Sequence, residues 1–222
     1  MGRMNETVPE WPSRVSREQA RDAKLRAREF EQCLKELAKS SGWKFANGTL
    51  FRIEGDWFVD VVPRLLWQRG VVARLRAKPL SVDPVFWRIV GLEENERLPL
   101  SFRANGAWVL RAPSREAHID AEERDPAKLA AATVVRAADY AAEVRSSPTE
   151  SLIGEIEGLG DRSKHFAALE VCLRIALGDL EGALRLCITA EDGSSGGYQT
   201  GDKGFFEQAR DWISIRHKSD AL

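Results

Sequence analysis

Cysteine, histidine, tyrosine and methionine are all scarce in this chain of 222 residues, which holds three, three, two and two of them. The cysteines, Cys33, Cys172 and Cys187, make no C-x-x-C pair and are odd in number. That argues against a disulfide framework or a thiolate metal site, and the expectation is buried free thiols in a reducing compartment. His118, His165 and His217 stand too far apart for a helical i, i+4 metal pair, and no H-E-x-x-H occurs. A G-x-S-x-G elbow is missing as well, and no cysteine has a histidine nearby. Nothing in the sequence asks for a metal or a cofactor, and no catalytic constellation is legible.

An excess of one charge is absent too. Lysine and arginine number 33 against 34 acids, for a net charge of −1, so there is no global pull toward nucleic acid or an anionic membrane. No apolar stretch approaches the ~20 residues that span a bilayer. Residues 1–12 hold no apolar run of the signal-peptide kind, and Glu6 stands where a myristoylation signal after Gly2 wants Ser or Thr. The expected location is the cytoplasm, and the Arg- and Ala-rich composition suits a high-GC bacterium. With 43% apolar residues, the chain can bury one large core or two small ones.

What is present has a clear order. Residues 1–15, with Pro9 and Pro12 and no periodicity, read as a loose arm. Ser16 and Gln19 form a capping box, and Ala20, Ala23, Ala27, Phe30, Leu34 and Leu37 make one apolar stripe on a long helix that should pack on a sheet. Gly42 stops it. The period then becomes two. Strands are expected over 43–46, 49–53, 57–66 and 71–78, turned at Asn47-Gly48, at Gly55 and at Gly70, with Pro63 marking an edge or bulge. Asp83-Pro84 reads as a helix N-cap, and Leu98–Arg103 with Ala107–Arg111 as a hairpin around Asn105-Gly106. Residues 112–125 are charged and aperiodic and read as a linker. Asp125-Pro126 then opens a helical region, with a well-buried helix over 127–145 and further helices over 149–157, 163–177, 179–190 and 204–216. The fold class is α+β: an antiparallel meander covered by helices over 16–111, then an all-helical region over 126–222.

Two local patterns resemble known families. Ala168–Cys187, with its turn at Gly178-Asp179 and small Ala183, resembles a tetratricopeptide-type helix pair; no second copy follows at the ~34-residue period, so a lone helical hairpin is expected. Gly42, Trp43, Phe45, Phe51 and Arg52, followed by Trp57–Val61, resemble a strand pair found in a group of bacterial α+β domains. Some members of that group are immunity proteins that neutralise toxins of competing bacteria. The resemblance covers about residues 28–111 and implies a non-enzymatic protein that acts on another protein. The Gly-rich stretch 193–204 has P-loop spacing at Gly196 and Gly201, but Asp202 stands where lysine belongs and Gly204 where Ser or Thr belongs, so it reads as a connector.

One feature points to a surface. Arg74, Arg76 and Lys78 alternate with Ala73, Leu75 and Ala77, so the three charges share one sheet face. Residues 61–111 hold nine basic groups against four acids. Arg64 and Trp67 fall in the same region, as do Trp87 and Trp108, which could stack on bases if exposed. The candidate partner-binding set is Arg64, Trp67, Arg74, Arg76 and Lys78. A half-exposed strand should tolerate loss of all three strand charges with little change in stability. Three readings stay open: protein binding, nucleic-acid binding through the basic face, and an enzyme whose site converges from distant residues.

Overall fold

The computed structural model describes residues 16–66, 70–104, 110–120, 125–160, 165–191, 199–200 and 202–219. Its class is the expected α+β. Helix α1 (Arg17–Ser40) starts on the capping box, with the Ser16 hydroxyl accepting from Gln19 N–H and the Gln19 side chain accepting from Ser16 N–H. Strands β1 (Lys44–Ala46), β2 (Thr49–Glu54), β3 (Trp57–Leu66) and β4 (Gly70–Pro79) follow as an antiparallel meander. Asn47 and Gly48 both take positive φ, as a type I′ turn requires. Pro63 lies beyond the last β2 pair, Leu50 with Val61, where β3 has a partner on the β4 side only. Its missing N–H therefore costs no ladder bond.

The second half of the meander departs from expectation. Helix α2 (Val82–Ile89) begins one residue before Asp83, and no side chain caps it. Leu100–Ala104 is a short helix, α3, in place of the strand expected over 98–103. Leu110 and Arg111 are not strand, and the expected turn at Asn105-Gly106 lies outside the described residues. The fifth strand comes from the segment with the character of a linker: β5 (Ser114–Ile119) pairs antiparallel with β4 and completes a sheet of order β1-β2-β3-β4-β5. At their junction Gly70 is indispensable. Its φ is +83°, and a Cβ there would stand 2.2 Å from the Ile119 carbonyl oxygen.

Helices α4 (Pro126–Arg145), α5 (Ser151–Glu157), α6 (Ala167–Ala176), α7 (Leu180–Glu191) and α8 (Phe205–Ser219) follow, with the two-residue strands β6 (Gln199–Thr200) and β7 (Lys203–Gly204) between α7 and α8. Asp125 caps α4, its carboxylate accepting from Ala127 N–H at 2.8 Å. Most of the Gly-rich stretch 193–204 lies outside the described residues; its described part is the β6–β7 pair. One apolar core runs from the inner sheet face (Leu50, Val61, Val71, Leu75) through Phe86 and Trp87 of α2 to Leu169 and Leu173 of α6 and Phe205 of α8. Helix α4 lies over β2, β3 and β4, and α1 packs on α4. The α1 stripe is only half used. Phe30, Leu34 and Ala38 are buried, whereas Ala20 and Ala27 face solvent. Alanine covers too little area to hold the first turns down. Likewise α4 buries one broad face and leaves Val135 exposed. Cys172 and Cys187 are buried free thiols, and burial pushes Cys172 well above its ordinary range. No helix among the described residues is long and apolar enough to cross a membrane.

Candidate binding face

The outer face of the sheet is built by alternation. Residues directly opposite across β3 and β4 are Phe58 with Lys78, Asp60 with Arg76, Val62 with Arg74 and Arg64 with Val72. Ala73, Leu75 and Ala77 are buried on the other side. Arg74, Arg76 and Lys78 therefore share one face, as the sequence implies, but they do not share one environment.

At the end near α2 the charges are enclosed. Lys78 is 4% exposed, its ammonium 2.7 Å from Asp83 Oδ1, 3.0 Å from the Leu110 carbonyl and 5.8 Å from the centre of the Phe58 ring. Asp83 is thus the counter-ion of a buried lysine, where the sequence suggests a helix cap. Arg76 donates through Nε, at 2.8 Å, and Nη2 to a single oxygen of Asp60. Burial lifts the Asp60 carboxyl above its ordinary range, outweighing the downward pull of Arg76, Lys78 and Arg111. Between these groups lies a cavity of about 10 Å³ lined by Asp60, Arg76, Lys78, Leu110 and Arg111. It has room for a single water molecule and for no substrate. The expectation that all three strand charges can be replaced at little cost is corrected here: Lys78 and Arg76 are internal ion-pair members. Removing one partner of a buried pair leaves the other charge uncompensated.

At the other end the face is open. Arg64, Arg74, Glu116 and His118 are exposed, with Val62 and Val72 half-buried among them. Arg74 stands opposite Glu116, and Val72 opposite His118, across β4 and β5. Trp67 and Trp108 lie outside the described residues. Trp87 is 1% exposed and packs edge-on against Phe86 at 4.9 Å, so it offers no face to a base. Asp60 is absent from the set expected from sequence, although a signal for it exists: a meander turning at 67–70 sets an acid opposite a base across β3 and β4. Asp83 has none, because Asp-Pro reads equally well as a cap.

A second polar cluster joins the helical hairpin. Arg174 donates from Nε to Glu170, from Nη1 to Asp179 and from Nη2 to Glu157, each at 2.8 Å. Asp179 also accepts from Gly182 N–H at 2.9 Å and so caps α7. Gly178, at φ +83°, closes the turn, and buried Ala183 lets the two helices approach. Arg174 and the Gly182 N–H hold Asp179 below the usual carboxylate range. The shallow groove beside this clamp is wide open, and Arg174, Glu157, Glu170 and Asp179 are spent on tying the helices together. Among the described residues no group of three His, Cys, Asp or Glu could hold a metal. No family model, curated protein or solved structure matches the chain.

Proposed function

We propose that this protein is a non-enzymatic binding factor of the immunity or regulatory kind, which acts on another protein through the open half of its outer sheet face. One observation carries the reading: Arg64 and Arg74 reach solvent from the paired strands β3 and β4, with Val62 and Val72 half-buried between them. Such a surface combines apolar contact with two guanidinium groups suited to bidentate pairing with carboxylates. An acidic protein surface is the complementary partner, and the arginines would act mainly by steering encounter. The nucleic-acid reading has less to stand on, because Arg76 and Lys78 are committed to Asp60 and Asp83. Two exposed arginines neutralise few phosphates.

The experiment compares affinity capture by the natural chain and by Arg64→Glu/Arg74→Glu from a lysate of the source cells, with the product of any adjacent toxin-like gene tested directly. The expected result is a protein held by the natural chain, released by salt and lost with the charge-reversed variant. Equal capture by both forms would overturn the reading. Capture abolished by nuclease would transfer it to nucleic acid.

A further inference from the structure

The sheet has two edges, and they are unlike. β1 is three residues long, with α1 and α3 lying against it. β5 is six residues long, pairs with β4 without a bulge, and holds neither proline nor lysine. Ser114, Arg115, Glu116 and His118 are exposed along it. Folded proteins blunt an edge by shortening it, covering it, or placing a bulge, a proline or like charges on it. β1 shows the first two devices. Among the described residues β5 has no bulge, proline or shortening; α4 and α5 reach it on the core side, where Arg115 meets Tyr140 and Glu155, and its charges are of both signs.

Those charges select a partner. When two copies of one strand pair antiparallel about a twofold axis, directly opposite side chains lie on the same face, so the axis passes through a residue. Two registers pair five residues of β5 on each copy. An axis at Glu116 sets glutamate against glutamate. An axis at Ala117 sets Glu116 of each copy against His118 of the other, twice, with Arg115 opposite Ile119. We propose that β5 is a homodimer edge on which a second copy of this chain adds antiparallel about Ala117, making a continuous ten-stranded sheet. The open halves of the two outer faces, each with its Arg64 and Arg74, then form one surface. The joint stands independently of the function proposed above. A contact of five residues a side is small, so the dimer forms and dissociates with concentration.

Sedimentation velocity of the full chain over a concentration series tests this, together with Glu116→Lys and the exchange Glu116→His/His118→Glu. The natural chain is expected to reach twice the monomer mass at high concentration. Glu116→Lys should weaken association roughly tenfold, since the carboxylate that accepts from the facing imidazole is lost from both cross-strand pairs. The exchange should restore association, because the Ala117 axis presents the same pairs with their members swapped. Amide exchange along β5 in the natural chain should slow as concentration rises. A monomer at every concentration, or a dimer indifferent to Glu116→Lys, or a folded exchange variant that stays monomeric would each overturn the proposal.

Discussion

Asp60 and Asp179 each meet an arginine at hydrogen-bond distance, yet their acidities move in opposite directions. Asp60 sits on a central strand, 7% exposed, and burial raises it despite Arg76. Asp179 lies at a helix N-terminus with its side chain 40% exposed, and Arg174 lowers it. The same pair of functional groups is therefore a burden in one place and a support in the other. Position relative to solvent decides the sign, because desolvation of a charge can outweigh the attraction it gains. The sheet's charges specify an arrangement at a cost, and those of the helical hairpin stabilise a turn at little cost.

The sharpest way to break this contrast is at Lys78. Lys78→Ala removes the ammonium that pairs with Asp83, which is fully buried, and should cost about 3–5 kcal/mol by urea unfolding. The paired change Lys78→Met/Asp83→Leu should recover most of that loss, since neither member of the pair is left as a buried charge without the other. If the single change costs less than the double, the internal ion pair is misassigned.

Acidity gives the next test, and its sign differs between the two sites. A carboxyl raised in the folded state adds stability below its unfolded value of 3.8, and that contribution is lost as pH rises through the folded value. Stability of the natural chain relative to Asp60→Asn should accordingly fall as pH rises from 3.8 through the raised folded value. Asp179 is depressed, so its contribution is present above 3.8 and lost as pH falls through the folded value. Relative to Asp179→Asn, the natural chain should lose stability only below about pH 4. Parallel slopes in the two series would remove the distinction.

Smaller effects complete the ranking. Arg174→Gln opens a half-buried clamp and takes the guanidinium from the buried Glu170, so it should cost about 1–3 kcal/mol, less than Lys78→Ala. Arg64→Glu and Arg74→Glu should each change stability by no more than about 0.5 kcal/mol, read by thermal unfolding. A larger loss at Arg74 would mean that its place opposite Glu116 helps to hold β5.

Much of the fold is legible in the sequence because its signals are local. The capping box at Ser16, the Asn47-Gly48 turn, the period-two runs of β2 to β4 and the Asp125-Pro126 start all act through neighbours in the chain. The misses have equally physical grounds. Leu98, Leu100 and Phe102 alternate like a strand, and a five-residue helix is too short to display its own period. β5 reads Ser-Arg-Glu-Ala-His-Ile, with apolar contact on one side of an edge, so no alternation marks it. The shared face of Arg74, Arg76 and Lys78 is readable from spacing. The burial of Lys78 is not, because it depends on Asp83 and Leu110, which lie outside the strand.

The distance β5 travels has a kinetic consequence. β1 to β4 join through short turns, whereas Val71 must find Ile119 across nearly fifty residues. Local hairpins close quickly and long loops close at a greater entropic cost. The meander is thus complete before its fifth strand docks, and during that interval β4 is itself the bare margin of the sheet. Arg74, Arg76 and Lys78 then stand along an unpaired strand, where like charges repel another chain that approaches to add on.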